Sequence, residues 1–168
     1  FERIQEMAMR DELTGLINRR HGLEVLQEYK TLLKRNKLDV WVALIDLDYF
    51  KRINDTWGHG VGDEVLKGFA VQAKKSLRSA DVVVRWGGEE FLVIMLEEPE
   101  ANPSIGIDRF RDSLSQYRVS PTVPDLRIAF SAGLARCRHD ESIEASIDRA
   151  DQALYQAKHE GRNRSVMA

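Results

Sequence analysis

Residues 82–96 read Val-Val-Val-Arg-Trp-Gly-Gly-Glu-Glu-Phe-Leu-Val-Ile-Met-Leu, and this stretch determines the centre of the fold. Two runs rich in β-branched and aromatic residues, Val82–Trp86 and Phe91–Leu96, flank the tetrapeptide Gly-Gly-Glu-Glu. Runs of this kind favour strands, and a glycine pair between them supplies the positive φ values that a tight reversal needs. The pattern predicts a β-hairpin whose turn carries two adjacent carboxylates, Glu89 and Glu90.

A second strand is predicted upstream of the hairpin, over Val40–Ile45. This segment is nearly unbroken in its apolar character, which is typical of a central strand buried on both faces. It ends in the acidic tripeptide Asp46-Leu47-Asp48. We expect Asp48 to cap a short helix that runs through Asn54, and Asp63 to begin a longer helix to about Leu77.

The rest of the chain alternates between helical and strand-like patterns. Apolar residues recur at helical spacing in 19–37, 105–117 and 142–160, and Gly161 stops the last of these helices. Residues 126–135 form another strand-like run. The order of helix, strand, helix, hairpin, helix, strand, helix predicts an α/β (α+β) fold in which helices surround a central, mainly antiparallel sheet.

Composition limits the class of protein. A chain of 168 residues with 43% hydrophobic and 31% charged residues is expected to form one domain with a packed core. The formal net charge of −2 argues against a domain that coats nucleic acid or a membrane surface. The single Cys137 excludes an internal disulfide and fits a reducing compartment. Because the first residue is Phe1, we expect this chain to be a piece of a longer protein.

Four carboxylates are predicted to converge at one rim of the sheet, since Asp46 and Asp48 follow the buried strand and Glu89 and Glu90 lie in the neighbouring turn. Hard oxygen ligands suit Mg²⁺ or Mn²⁺ and not zinc. Paired divalent ions about 3.5–4 Å apart are a common solution for phosphoryl and nucleotidyl transfer. In the alternative interpretation, the four acids are only a helix cap and turn residues on a solvated edge.

Four separate motifs in this sequence resemble the GGDEF domain of diguanylate cyclases. They are residues 46–63 (DLDYFKRINDTWGHGVGD), 85–91 (RWGGEEF), 11–20 (DELTGLINRR) and 155–164 (YQAKHEGRNR). The motifs occur in the family's order and cover essentially the whole chain. Glu89 stands where the family's eponymous motif has Asp, a one-methylene variant that keeps the carboxylate.

The resemblance implies a palm-like fold similar to the class III nucleotidyl cyclases, and synthesis of cyclic di-GMP from two GTP molecules with loss of pyrophosphate. Each of two subunits would hold one GTP, so a homodimer is needed for catalysis. Residues 1–10 would be the end of an upstream linker helix and residues 11–168 the catalytic domain. We expect a cytoplasmic bacterial domain that contacts neither nucleic acid nor membrane itself, in a protein that could be membrane-anchored elsewhere.

The resemblance also implies the catalytic and metal-binding residues. Asp46 and Glu89 would bind Mg²⁺ or Mn²⁺, two ions in each site, with help from the backbone carbonyl of Leu47. Glu90 would join the metal ligands or lie beside them. Glu89 would accept the proton of the attacking hydroxyl, although a metal-bound carboxylate is a weak base and the ion itself could do much of that activation.

Eight substrate-binding positions follow from the same resemblance: Asn54, His59, Asp63, Gly87, Gly88, Lys51, Lys158 and Arg162. The amide and carboxylate of Asn54 and Asp63 would bind the guanine edge, and His59 the ribose or base. The glycines would let the backbone approach the phosphates, and the three cations would bind the β- and γ-phosphates. Outside this context, Asn54 would be a helix terminator, Asp63 an N-cap and His59 a structural histidine, and the three cations would be surface charges.

A product-inhibition site is implied by Arg78 and Asp81, which precede the Gly-Gly pair by the family's spacing. The two would bind the guanine edge and phosphates of cyclic di-GMP, and Arg109 would contribute a second guanidinium. The alternative is an exposed salt bridge that contributes about 0–1 kcal/mol.

Three other functions compete with an active cyclase. A catalytically inactive receptor for GTP or cyclic di-GMP is disfavoured by the intact Asp46, Glu89, Glu90 and Lys158. A cyclase that forms a mononucleotide product is disfavoured by Asn54 with Asp63 and by the Gly-Gly-Glu-Glu turn. A purely structural dimerisation domain would need none of these residues.

Overall fold

The computed structural model describes residues 8–33 and 37–168. In these two ranges it contains six strands and five helices. They are β1 (Ile17–Asn18), α1 (Arg19–Leu33), β2 (Asp39–Leu47), α2 (Phe50–Trp57), α3 (His59–Ser76), β3 (Val82–Arg85), β4 (Glu90–Glu97), α4 (Ser104–Leu114), β5 (Phe130–Arg136), α5 (Ile143–His159) and β6 (Ser165–Met167).

The strands form one mixed sheet in the order β1-β3-β4-β2-β5-β6. The central strand β2 pairs antiparallel with β4 and β5, and β3 pairs antiparallel with β4, whereas the edge strands β1 and β6 pair parallel. The predicted hairpin is confirmed, with Val84 opposite Leu92. The α+β class and the mainly antiparallel centre of the sheet are confirmed as well.

Each face of the sheet is covered by helices, which explains why β2 lacks polar alternation. On one face Ala43, Ile45 and Leu47 pack with α3 and α4 around four phenylalanine rings whose centroids lie 4.2–5.9 Å apart, Phe69, Phe91, Phe110 and Phe130. On the other face Val42 and Leu44 pack with α1 and α5. Successive residues of a strand point to opposite faces, so a strand buried on both faces must be apolar throughout.

Helix α5 lies directly on β5 because Gly133 has no side chain. A Cβ at position 133 would overlap the backbone carbonyl of Ala150 and the backbone amide of Leu154. This close packing fixes the height of α5 above the sheet. The C-terminal end of α5 therefore lies beside the end of β2, where the chain places its acidic residues.

Several predicted boundaries are wrong, each for a local reason. Helix α2 begins after Tyr49, which adopts a left-handed conformation (φ 58°), and Asp48 does not cap it. Helix α3 begins at His59 instead of Asp63, directly after Gly58 (φ 89°). Strand β5 begins at Phe130 instead of Leu126, because pairing with β2 begins where Phe130 lies opposite Leu47.

Helix predictions at the chain's first residues and after α1 fall partly outside the described residues. Ala8 and Met9 are helical, whereas 1–7 lie outside the description, so the linker helix stays a prediction. The helix predicted over 19–37 is described as far as Leu33, and the next three residues, 34–36, lie outside the description. In the described part of the chain, none of the helices combines the length and apolar character that crossing a membrane requires.

Candidate functional site

A cleft of about 480 Å³ opens where β2 ends, beside the turn of the β3–β4 hairpin. The strand contributes Asp46 and the turn contributes Glu89, while Lys158 comes from the last turns of α5. The cleft brings together six residues that the sequence predicted to act at one site, which are Asp46, Leu47, Lys51, Glu89, Lys158 and Arg162. It also contains residues to which the sequence assigned no role, namely Tyr49, Phe50, Arg52 and Asp55.

Backbone hydrogen bonds place the hairpin turn against the end of β2. The Leu47 amide donates to the Glu89 carbonyl (3.2 Å), and the amides of Trp86 and Gly87 donate to the Glu90 carbonyl (2.9 and 3.1 Å). Neither Gly87 nor Gly88 has a positive φ, so that part of the prediction is wrong. A Cβ at Gly88 would meet no other atom, which leaves the turn backbone open to a ligand.

Arg85 holds the backbone of the β3–β4 turn through hydrogen bonds, a role that the sequence analysis missed. Its guanidinium donates to the carbonyls of Gly87 (2.8 Å) and Gly88 (2.6 Å) and to the Asp11 carboxylate (3.0 Å). Burial raises the pKa of Asp11, but hydrogen bonds from Thr14 and the Arg85 charge outweigh this and hold it below its ordinary value. The motif over 11–20 is thereby tied to the turn that carries the acids.

Three carboxylates, Asp46, Glu89 and Glu90, lie close enough at the end of β2 to repel one another. Asp46 is only 6% exposed, and its carboxylate lies 2.6 Å from the Lys158 ammonium. Burial raises the pKa of Glu89, and the neighbouring Asp46 raises it further by repulsion and by a hydrogen bond, while Lys158 opposes the shift. Burial and Asp46 also raise the pKa of Glu90. Within residues 8–33 and 37–168, Lys158 is the one cation in salt-bridge contact with these three carboxylates, so their side of the site favours a further cation.

The carboxylates fit a magnesium or manganese ion that completes its coordination with a substrate. Asp46 and Glu89 are neighbouring hard oxygen donors, the type that these ions prefer. Across residues 8–33 and 37–168, no three His, Cys, Asp or Glu side chains are grouped so that they could hold a metal ion. Mg²⁺ is usually bound through one or two carboxylates together with substrate phosphates, and a pair of acids meets that requirement.

The predicted convergence of four carboxylates is not what the structure shows. Asp48 lies outside the cleft, and both of its oxygens accept hydrogen bonds, from the Ser131 hydroxyl (2.7 Å) and the Asn163 amide (2.9 Å). Glu90 lies opposite Asp46 in the sheet register but does not line the cleft. Strand β2 ends at Leu47, so the alternation that would place residues 46 and 48 on the same face of a strand does not extend to Asp48.

The predicted base-binding residues lie at the junction of α2 and α3, outside the cleft. His59 and Asp63 are exposed in the first turns of α3, and Asp63 does not cap that helix. Asn54 Oδ1 is buried and has no hydrogen-bond partner among residues 8–33 and 37–168. It fits against Gly62, where any Cβ would overlap it. The junction therefore holds an unsatisfied acceptor beside an exposed carboxylate.

A second cleft, of about 300 Å³, brings together the three residues predicted to bind product, Arg78, Asp81 and Arg109. The Arg78 guanidinium donates to Asp81 (3.2 Å), to the Leu96 carbonyl (3.0 Å) and to Glu97 (2.7 Å). The sequence analysis missed Glu97, which the register of β4 brings to this cleft. Arg78 is thus already paired with two carboxylates in the free domain.

The fold and the two clefts define a class of protein, namely an α+β domain with an acidic, cation-flanked cleft suited to divalent ions and phosphoryl groups. Residues 8–164 match the family model described as "Diguanylate cyclase, GGDEF domain". The chain belongs to the GGDEF family.

Named relatives and solved structures agree with this family. The chain is 40% identical to diguanylate cyclase DgcP of Pseudomonas aeruginosa, covering 98% of this chain and 24% of that protein. It is also 40% identical to the response regulator PleD of Caulobacter vibrioides, covering 96% and 36%. The crystal structure of the coiled coil and GGDEF domain of DgcB from Caulobacter crescentus, in complex with c-di-GMP, superposes with a TM-score of 0.91 at 29% identity, covering 99% and 89%. The chain spans less than half the length of the curated relatives that it matches.

The repulsion around Glu89 predicts opposite responses to charge removal and to Mg²⁺. Because the folded-state pKa of Glu89 is raised, ionised Glu89 destabilises the metal-free domain at neutral pH. In EDTA, Glu89→Gln is expected to melt at or above the wild-type temperature, and the two should converge as the pH falls through the raised pKa. Mg²⁺ should raise the melting temperature of the wild type, by about 2–4 °C for each 1 kcal/mol of binding, and not that of the variant.

The matched control for this thermal-shift experiment is Asp55→Asn, which removes an exposed carboxylate that lines the same cleft. This variant should keep the wild-type response to Mg²⁺. An equal response of Glu89→Gln and the wild type would contradict the role of Glu89 as a metal ligand.

Proposed function

We propose that this chain is the catalytic domain of a diguanylate cyclase, which condenses two GTP into cyclic di-GMP with release of two pyrophosphates in the cytoplasm. The observation that carries the proposal is the shared cleft. It joins a pair of neighbouring acids, the buried Asp46 and the half-buried Glu89, to three cations from separate segments, Lys51, Lys158 and Arg162. Acids suited to a divalent ion beside cations suited to a triphosphate are what nucleotidyl transfer needs.

The carboxylates of Asp46 and Glu89, with the Leu47 carbonyl, would hold Mg²⁺ or Mn²⁺, two ions in each site, and Glu90 would lie next to them. A bound ion of this kind supplies charge neutralisation at phosphate oxygens and lowers the pKa of a coordinated hydroxyl. The chain's cations would orient the β- and γ-phosphates, and the side-chain-free turn at Gly87 and Gly88 would let the triphosphate approach the backbone.

In each half-reaction the 3′-oxygen of one GTP forms a bond to the α-phosphorus of the other, and the bond from that phosphorus to the β-phosphate bridging oxygen breaks. Pyrophosphate leaves with the bonding electrons. Glu89 would accept the hydroxyl proton; burial and repulsion from Asp46 raise the pKa of its carboxyl, which supports this role because the ionised carboxylate is then a stronger base. The residues of the chain thus position the phosphates and receive the proton.

Two copies of the domain are required in this mechanism. The product contains two phosphodiester bonds, so two α-phosphates must be activated, whereas the described part of the chain has one cleft that combines acids with these cations. We therefore propose a homodimer in which the clefts face each other and each 3′-hydroxyl attacks the GTP of the other subunit.

The proposal is tested by incubating the domain, fused to a dimerising coiled coil, with GTP and Mg²⁺ and separating the products by chromatography. Cyclic di-GMP and pyrophosphate are expected from the wild type, and Glu89→Ala should lose turnover while keeping its fold. Binding of GTP or cyclic di-GMP without turnover would instead indicate a receptor domain. A cyclic mononucleotide would indicate a different cyclase.

Guanine selection is proposed to depend on Asn54 and Asp63, with His59 alongside. The Asn54 amide supports this assignment, because its Oδ1 is unpaired within the described residues and could accept a hydrogen bond from a ligand once the side chain turns away from Gly62. An amide and a carboxylate together match the acceptor and donors of guanine and mismatch adenine.

Gly62→Ala is expected to weaken guanine recognition, because the added Cβ would displace the Asn54 side chain. We expect kcat/KM for GTP to fall about tenfold, the equivalent of one hydrogen bond, and the preference for GTP over ITP to shrink. Steady-state kinetics with both nucleotides measures this ratio.

Gly60→Ala is the matched control, since a Cβ at position 60 would meet no other atom and the site lies in the same helix. It should keep the wild-type ratio. An unchanged GTP-to-ITP ratio in Gly62→Ala, with the variant folded, would argue against Asn54 as a base-binding residue.

We propose that the cleft of Arg78, Asp81 and Arg109 binds cyclic di-GMP as a feedback inhibitor. Arg78→Ala should relieve inhibition by added product, with initial rates within about twofold, the scale of a lost surface ion pair. Glu97 forms a salt bridge with the Arg78 guanidinium at 2.7 Å. Glu97→Gln removes this salt bridge, so it should free Arg78 to bind the product and lower the concentration of cyclic di-GMP that inhibits. Glu98→Gln, an exposed neighbouring change, is the control. Unchanged inhibition in Arg78→Ala would remove this site.

A further inference from the structure

Asp48 is a buried acid that the proposed chemistry does not use. Its side chain is 7% exposed, and each carboxylate oxygen accepts one hydrogen bond, Oδ1 from the Ser131 hydroxyl (2.7 Å) and Oδ2 from the Asn163 amide (2.9 Å). These contacts join three segments that are distant in sequence, namely the end of β2, strand β5 and the turn 161–164. A buried carboxylate in such contacts fixes the relative positions of the segments that it joins.

The turn that Asp48 binds has an unusual backbone. Gly161 has a φ of 122°, and the two residues after it, Arg162 and Asn163, have φ values of 66° and 48°. Residues with side chains adopt this left-handed region only where neighbouring contacts hold them there. The Arg162 amide donates to the Ala157 carbonyl (3.0 Å), and the next amide along the chain is the one that Asp48 accepts.

The conformation of this turn determines where the Arg162 side chain lies. Its guanidinium carbon is 5.1 Å from the centroid of the Tyr49 ring, and Arg162 lines the acidic cleft with Asp46 and Glu89. Tyr49 directly follows Asp48 and is itself left-handed, with a φ of 58°. The hydrogen bonds of Asp48 therefore fix the backbone next to both Tyr49 and Arg162, the two residues whose side chains meet at the cleft.

We propose that Asp48 is a positioning residue for the triphosphate. Its carboxylate locks the turn 161–164 onto the end of β2, which keeps the Arg162 guanidinium at the cleft in the strained conformation that binding requires. This assignment rests on the proposed function, because it takes the cleft as the GTP site. Asp48 acts through Arg162 and contacts neither the ion nor the nucleotide.

Asp48→Asn and Asp48→Ala separate this role from that of a metal ligand. Asparagine can keep both hydrogen bonds, since its Oδ1 accepts from the Asn163 amide and its Nδ2 donates to the Ser131 hydroxyl oxygen. Alanine loses both. A positioning role predicts that Asp48→Asn behaves like the wild type, whereas a metal-ligand role predicts that the two variants fail together.

The test measures binding of 3′-deoxy-GTP, which lacks the attacking hydroxyl, in the presence of Mg²⁺. We expect Asp48→Ala to weaken binding about tenfold, the lower end of the effect of removing a residue that orients a binding group, and Asp48→Asn to stay within about threefold. Arg162→Ala should weaken binding to a similar degree, and the double variant Asp48→Ala/Arg162→Ala no further, since one residue acts through the other. In steady-state assays with GTP, Asp48→Ala should raise KM with little change in kcat.

Wild-type affinity in Asp48→Ala, additive losses in the double variant, or equal losses in Asp48→Asn and Asp48→Ala would each overturn the assignment. If Asp48→Ala shows no cooperative unfolding transition, Asp48→Ser replaces it, because a serine hydroxyl is too short to reach both partners. A wild-type domain that binds 3′-deoxy-GTP but makes no cyclic di-GMP would refute the proposed function and leave the role of Asp48 decided by the same binding data. A wild-type domain that does not bind the nucleotide would overturn both.

Discussion

Repulsion between carboxylates at the end of a buried strand is the constraint on which the rest of this structure depends. Asp46 and Glu89 lie side by side where burial already disfavours ionised groups, and the raised pKa of Glu89 expresses the energetic cost. The domain offsets part of that cost with one ammonium, Lys158, at 2.6 Å from Asp46. The other cations that line the cleft, Lys51, Arg52 and Arg162, form no salt bridge with this acid pair in the described residues, so the pair itself stays attractive to a divalent ion. A more stable arrangement with fully paired acids would bind such an ion less well.

The scaffold supports this charge cluster through contacts that themselves carry no chemistry. Gly133 lets α5 lie directly on β5, and the height of the helix brings Lys158 to Asp46. Arg85 donates to two carbonyls of the hairpin turn and is in turn bound by Asp11, so the loop that opens the described domain is connected to the acidic turn. Both sets of contacts fix backbone positions. Without them, repulsion between the acids would move the segments of the site apart.

Much of the fold could be predicted from the sequence, because strand burial and hairpin turns are local properties of the chain. The unbroken apolar run of β2 indicated a strand covered on both faces, and the Gly-Gly-Glu-Glu turn indicated the hairpin that places Glu89. The site was predictable only in part. Asp48 follows Asp46 by two residues, and the sequence does not show that the strand ends between them. An acid that accepts hydrogen bonds from Ser131 and Asn163 was therefore predicted to be a helix cap and one of four converging carboxylates. Arg85 and Glu97 were missed because their partners, Asp11 and Arg78, are set by the sheet register.

As the proposed metal site, the acids of the cleft would supply only part of the ion's ligands, and this incompleteness is informative. Two neighbouring carboxylates leave most of the coordination sphere of Mg²⁺ open, and this preference for mixed ligands is met when a substrate brings its own phosphate oxygens. In the proposed reaction a single domain is incomplete in the same way. It provides the cations that bind the phosphates and it holds one GTP, but the attacking hydroxyl belongs to the GTP of the second copy. The ion, the nucleotide and the second subunit would then each supply a part of the active site that the other two lack. Under this proposal the domain would be inactive until association brought two clefts together, and control of association would be control of the chemistry.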